Sequence, residues 1–214
     1  MTKHQRRNEL SFAIAALFAL STAPALAIGS PPNVRGTITS VDGNTVNIKE
    51  DDGSTATVHL AANAAVVSVA KASLSDIKPG SYIGTAATPR TDGTLQAIEI
   101  HIFPRSMQGA GEGNRAWDLK PKSSMTNGTV ARPGRVADNK VNKVAGNTIT
   151  VDYNGGSKVV DITPSTKVVS LVPANRSEIK PDATVVIVGA TTNGDGSLQA
   201  SRITVGTKDL PPPM

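Results

Sequence analysis

One block of this chain returns about a hundred residues after it first appears, and that recurrence limits the fold more than any other feature. Ile38 to Val46 reads I-T-S-V-D-G-N-T-V, and Val141 to Ile149 reads V-N-K-V-A-G-N-T-I, 103 residues later. Ser75-Asp76-Ile77-Lys78-Pro79 returns as Ser177-Glu178-Ile179-Lys180-Pro181, and Asp92-Gly93-Thr94-Leu95-Gln96-Ala97 as Asp195-Gly196-Ser197-Leu198-Gln199-Ala200. Two copies of one unit, 34–103 and 135–205, are therefore joined by a dissimilar segment, 104–134. A unit of about 70 residues is long enough to close a small core of its own.

Each copy carries a strand pattern. Val46 and Ile48, like Ile149, Val151 and Tyr153, alternate with polar neighbours at the period of two that turns one face inward. Asp42-Gly43 marks a hairpin, because glycine accepts the positive φ of a two-residue turn. Three strands in a meander precede a short strand near Val66 to Val69, or Val168 to Leu171. A helical turn begun by a Ser73/Asp76 capping box then leads to two closing strands. Strands interrupted by one turn after the third predict an all-β fold of two tandem small OB-like β-barrels with an irregular interdomain segment. A sandwich-like half-barrel is the alternative. In the last strand the apolar parity changes between Ala97 and Ile98, and again near Ala200 and Ser201, which predicts a β-bulge at each place.

The N-terminus reads as a targeting segment. Lys3, Arg6 and Arg7 precede a mostly apolar run from Leu10 to Leu20 that leads to Ala25-Leu26-Ala27. This is the order of a secretory signal peptide, 1–27, cleaved after Ala27, with the periplasm as destination. The run is shorter than the ~20 residues that span a bilayer, and no later segment is long and apolar enough to do so. Removing it lowers the net charge from +5 to +3 and leaves Tyr82, Phe103, Trp117 and Tyr153 as the aromatics. The absence of Cys excludes disulfides, thiolate metal sites and a cysteine nucleophile. Mild charge and few rings argue against nucleic acid, whose single strands need stacking platforms.

The unit G-x-I-x-x-V-D-G-N-T-V at Gly36 to Val46, L-S-D-I-K-P-G at Leu74 to Gly80, and D-G-x-L-x-A-x-x-I at Asp92 to Ile100 together carry a likeness. The chain resembles a family of small exported bacterial β-domain proteins of unknown function, some of them labelled as metal-transport permeases. The resemblance implies a periplasmic barrel module. The second copy departs from it by placing Asp182 where the first has Gly80.

The connecting segment is where anything specific is expected. It holds the chain's single Trp, together with Met107, Glu112 and Asp118 around a Gly-rich turn. Long loops in compact proteins tend to be functional or disordered. Trp117, Asp118, Met107, Glu112 and Phe103 are thus the candidate binding residues, although Trp117 and Leu119 simply packing between barrels is the plainer reading. His101, Glu112 and Asp118 offer a ligand set for a metal ion, without any paired-His spacing to sharpen it. Gly109, Gly111 and Gly113 lack the strand-to-helix frame of a phosphate loop. With His59 and His101 the only His after the signal and no Gly-x-Ser-x-Gly elbow, catalysis is not expected. The expectation is an exported module with no cofactor, acting on an envelope protein or a small ligand; the alternative is a metal-handling accessory protein. Residues 206–214, with their Pro211-Pro212-Pro213 run, read as a disordered tail.

Overall fold

The structure, a computed structural model, describes residues 32–131 and 148–213. The first repeat forms β1 (Val34–Asp42), β2 (Thr45–Glu50), β3 (Thr55–Lys71), β4 (Tyr82–Pro89) and β5 (Leu95–Ile102). The connecting segment adds β6 (Gly113–Ala116) and β7 (Ser124–Val130). The second repeat gives β8 (Thr148–Tyr153), β9 (Gly156–Asp161), β10 (Lys167–Pro173), β11 (Thr184–Ile187), β12 (Thr191–Thr192) and β13 (Leu198–Gly206). Among the described residues the helical structure is confined to 3-10 turns at Leu74–Asp76, Arg105–Met107 and Arg176–Glu178. The all-β reading holds. Its local devices hold as well: the Ser73 N–H donates to Asp76 Oδ2 at 2.8 Å, and Gly43 sits at φ 55 in the first hairpin turn.

Two five-stranded barrels close, but neither is made by one repeat. In the first, β1 pairs with β2, β2 with β3, β3 runs parallel to β13, β13 pairs with β11, and β11 returns to β1. In the second, β7, β8 and β9 are closed by β5 and β4 through the same pattern, with β5 parallel to β9. Each barrel therefore takes its first three strands from one side and its last two from the other repeat. The cores record the exchange. Val34, Ile38, Val46, Ile48 and Val58 pack with Val185, Ile187, Ile203 and Val205, whereas Ile83, Ala87, Ala97 and Ile100 pack with Val130, Val151 and Val160. Among the described residues, neither those of 34–103 nor those of 135–205 close a barrel by themselves. The physical reason is the length of β3: its 17 residues, at about 3.3 Å each, carry the chain out of the first barrel before it can turn back.

The crossing arms form a saddle between the barrels. β3 and β10 pair antiparallel, with Val69 opposite Leu171, Val67 opposite Pro173 and Lys71 opposite Val169. Val69 and Leu171 are repeat equivalents, and the other two pairs exchange with each other under the repeat, so an internal two-fold axis passes through the Val69/Leu171 pair. β10 is separate from β9, whereas β3 is continuous, because Pro164 stands where the first repeat has Ala62 and lacks a ladder donor. The register skips Ile98 between β4 and β5, the expected bulge, and it is interrupted at Ser201 between β13 and β3, where residues 61–64 of β3 are skipped as well.

The strand occupying β1's place in the second barrel is β7. Thr129 faces Asp152 and Val130 faces Val151, as Thr37 faces Lys49 and Ile38 faces Ile48. Gly36 and Gly128 share one structural duty: a Cβ at Gly36 would strike the Lys49 carbonyl oxygen, and one at Gly128 would strike the Asp152 carbonyl oxygen. Gly128-Thr129-Val130 thus answers Gly36-Thr37-Ile38, but 17 residues separate Val130 from Thr148 where 6 separate Ile38 from Thr45. Val141 to Asn147, the sequence match to Ile38 to Asn44, lie outside the described residues, as do the signal segment and Met214. The tail corrects another expectation. Residues 207–213 fold back on β13, with Thr207 bridged to Leu210, and Pro212 and Pro213 are buried.

Candidate functional site

The connecting segment lies over the saddle and walls a cavity of about 250 Å³. A 3-10 turn at Arg105–Met107 drops Met107 onto Val67 and Leu171, with Val69, Phe103 and Ala110 packed around them. The chain then climbs through Gly109 and Gly111, both at positive φ, into the β6–β7 hairpin, which pairs with β4. β4 is thereby paired along both edges, with β5 and β7, and all of Tyr82 to Ala87 is buried. The Tyr82 hydroxyl and Asn127 Nδ2 both donate to the Ala110 carbonyl oxygen, at 3.2 and 3.1 Å, and this anchors the climbing turn. Burial pushes the Tyr82 phenol above its ordinary pKa, with Glu112 adding to the effect and Arg115 opposing it.

Equivalent rows from the two barrels meet at this cavity. On one side Asn127, Gly84 and His101 lie side by side across β7, β4 and β5. On the other, Arg35, Val186 and Thr204 occupy the matching places on β1, β11 and β13. The scaffold is symmetric and the filling is not. Gly84 has no side chain because the His101 imidazole lies across it: a Cβ there would overlap His101 Nε2 and come within 2.8 Å of Asn127 Oδ1. His101 is buried and stacks edge-on to Phe103 with centroids 5.2 Å apart. Loss of water, and then the Arg115 charge, lowers its pKa from 6.5 to about 4, so the ring is neutral near pH 7. Glu99 Oε1 lies 3.9 Å from His101 Nδ1, beyond hydrogen-bond reach, and does not offset the desolvation.

Two guanidinium groups lie over the Trp117 ring. The Arg35 carbon is 5.5 Å and the Arg115 carbon 5.3 Å from the centroid of the ring, a cation–π arrangement on an aromatic face. The two arginines have different partners. Arg35 grips Asp118 with both terminal nitrogens, at 2.9 and 2.6 Å, and this bidentate bond is the main reason the Asp118 carboxyl titrates below its usual range. Among the described residues Arg115 donates to the Gly111 carbonyl oxygen alone, at 2.9 Å, and burial lowers its pKa. The loop 117–123 is closed by Ser123, whose hydroxyl donates to the Trp117 carbonyl oxygen at 2.9 Å.

Of the residues singled out in the sequence, His101, Phe103, Met107 and Trp117 line the cavity together. Glu112 and Asp118 do not. Glu112 Oε1 accepts the Asn154 N–H at 2.9 Å, and Asp118 faces Arg35 and Asn33. The ligand set His101, Glu112 and Asp118 is thus not assembled, because each carboxylate is drawn to a different donor. Among the described residues no group of three His, Asp or Glu is placed to hold a metal ion. The cavity also uses Arg115, Met125, Asn127, Val186, Arg202 and Thr204. Arg115 had a signal in its place two residues before Trp117 on an alternating strand; the others are visible only once the two rows are brought together. His59 is half-buried on the first barrel, its Nδ1 3.1 Å from Thr45 Oγ1, well removed in topology from this site. A second hollow of about 290 Å³, lined by Ser68, Lys180, Asp182 and Lys208 among others, contains none of the candidate residues.

Residues 35–101 and 138–204 each match the domain of unknown function DUF5666. No curated protein matches the chain, and no solved structure does. The segment between the two matches contains β6, β7 and Trp117, so part of the cavity wall lies outside the matched segments.

Proposed function

The chain belongs to the DUF5666 family through both of its repeats, and from that premise we propose that it is an exported periplasmic binding module whose contact surface is the cavity between the exchanged barrels. The observation that carries this reading is the convergence of Trp117 and Met107, from the segment between the repeats, with His101 and Phe103, from the end of the first repeat, on one hollow of about 250 Å³. A cavity of about 150 Å³ admits a benzene-sized molecule, so this one has room for a ring with a substituent. Gly111, Ser201 and Arg202 are exposed at its edge, as is Val188 at 52%, which gives a mixed rim with an opening. Binding is favoured over catalysis because Nδ1 of the buried His101 has no hydrogen-bond partner among the described residues, so neither hydroxyl of the lining, Ser201 or Thr204, is coupled to it there. Export rests on the residue order Lys3 to Ala27. Among the described residues no helix is long and apolar enough to cross a membrane.

The test compares protein recovered from its native envelope with protein unfolded and refolded, by native mass spectrometry. The native sample is expected to carry a small bound mass that refolding removes and that Ser201→Trp, which fills the mouth, prevents. Equal masses in all three samples would contradict the reading. The mature N-terminus is expected at Ile28, and an intact Met1 in the periplasmic fraction would contradict the processing. Metal handling, the alternative, gains no specific observation from the placement of His101, Glu112 and Asp118.

A further inference from the structure

The lining of the interbarrel cavity has one sign of charge. It contains Arg115 and Arg202 and no Asp or Glu. Arg115 is half-buried, and a buried cation is ordinarily paired with a carboxylate. The ion pairs of the described residues leave it out: they join Arg35 to Asp118 and Arg90 to Asp161, with the long His101–Glu99 contact as the third. The carboxylates closest to it in sequence are committed elsewhere, Glu112 to the Asn154 N–H and Asp118 to Arg35.

Unsatisfied polar atoms accompany that charge. Among the described residues, Trp117 Nε1, Asn127 Oδ1 and His101 Nδ1 are buried without a hydrogen-bond partner, and all three residues line the cavity. His101 and Asn127 are 7% and 4% exposed, so bulk water does not reach them freely. The indole N–H can only donate, which adds a second donor on the Arg115 side. Against these stand Phe103, Met107, Leu171 and Val186, an apolar floor the size of one ring. Buried polar groups in a folded protein are otherwise nearly always paired, and a group that pairs Arg115 and the indole N–H must bring negative charge, acceptor atoms and an apolar body, while Asn127 Oδ1, itself an acceptor, is left for a donor such as water.

We infer that the cavity takes a small organic anion, a carboxylate carried on a body of about one ring, with its charge at Arg115 and Trp117 Nε1 and its body on the Phe103–Met107–Leu171 floor. Arg202, at the rim, adds attraction without enclosure. This rests on the cavity being the contact surface, and it adds the chemistry of the occupant.

The experiment titrates the purified protein with phenylacetate, phenylacetamide and phenethylamine, three probes of one shape and different charge. The readouts are Trp117 emission and the backbone amide shifts of Gly111, Arg115 and Arg202. Phenylacetate is expected to saturate at about millimolar Kd or below, about tenfold tighter than the amide, while the amine does not saturate. Arg115→Gln is expected to weaken phenylacetate about tenfold and bring it level with the amide. Arg202→Gln, on an exposed rim, is expected to weaken it about twofold and to flatten the salt dependence. Should Arg115→Gln fail to fold, the three probes on the unaltered protein decide. Equal binding of amide and carboxylate, lost in Ser201→Trp, overturns the anion assignment and leaves the cavity as the contact surface. Phenylacetate that shifts none of these amides overturns the assignment outright. Failure of the cavity itself is read separately, as the absence of any retained mass in the native protein.

Discussion

The first barrel and the second are made by the same exchange of the same repeat, yet they present different faces to the saddle between them. Where the first barrel places Arg35, Val186 and Thr204, the second places Asn127, Gly84 and His101. The β6–β7 hairpin pairs only with the second. Duplication supplies a symmetric frame in which each strand has a twin under the same backbone constraints. Function then needs only side chains that differ between twins and a cover inserted on one side. The comparison teaches that the informative residues are the mismatched pairs, His101 with Thr204 above all.

The largest expected effect uses that pair. The folded-state pKa of His101 is about 4, against 6.5 when solvated. The unfolded chain therefore takes up the proton first, and stability falls as pH drops from about 6.5 towards 4. Denaturant midpoints measured between pH 7 and pH 4 should show the unaltered protein losing on the order of 3 kcal/mol more than His101→Thr, which copies its twin. Asp52, Asp76, Asp92 and Asp195 also titrate low through turn hydrogen bonds, but they lose stability at lower pH and in both variants alike. Parallel curves for the two proteins would mean that His101 is not desolvated.

A second comparison sets Gly36 against Gly128. Both face a backbone carbonyl oxygen with no room for a methyl group, so Gly36→Ala and Gly128→Ala should each destabilise by about 2 to 3 kcal/mol in chemical unfolding. A neutral Gly128→Ala would break the equivalence of β7 with β1. Next comes the Arg35–Asp118 clamp, whose side chains are 17% and 52% exposed. Asp118→Asn should cost about 1 kcal/mol and alter Trp117 emission, since Arg35 also lies over that ring. A change in stability without a change in emission would detach Trp117 from the first barrel.

The smallest effect concerns Asp182, at φ 67, where its twin Gly80 sits at φ 89. Asp182→Gly should stabilise by about 0.5 to 1 kcal/mol, and Gly80→Asp should lose a similar amount. Unequal magnitudes in a thermal melt would show that the two turns are supported differently.

What the sequence made legible was local. Strand alternation in Val46 and Ile48, the Ser73–Asp76 box, and the parity changes at Ile98 and Ser201 depend on neighbouring residues, and each has its place in the fold. Which repeat supplies the closing strands is a different kind of fact. Thr37 can face Tyr82 of its own repeat or Thr184 of the other with the same alternation and the same buried area, so periodicity is silent on the choice. The arms at Val66 to Val69 and Val168 to Leu171 were visible as strands, but not as the crossing point. β7 escaped because the insertion before Thr148 displaces Gly128-Thr129-Val130 from the repeat offset. Trp117, Phe103 and Met107 were found from composition, whereas Asn127, Arg202 and Thr204 became neighbours of that cluster only through the exchange. The tail was misread because a proline run looks extended by itself, while Pro212 fits against Gly206, where only a glycine leaves room.

The reciprocal exchange of strands is the claim on which the cavity depends, and cysteine pairs test it directly, since the chain has no cysteine of its own. Thr37 and Thr184 face each other across β1 and β11, within reach of a disulfide, and Tyr82 is the first repeat's equivalent of Thr184. Under mild oxidation of dilute protein, Thr37→Cys with Thr184→Cys should form an intrachain bond in nearly every molecule, measured by mass after proteolysis, and Thr37→Cys with Tyr82→Cys should form none. Efficient bonding of the second pair and none of the first would show that each repeat closes its own barrel.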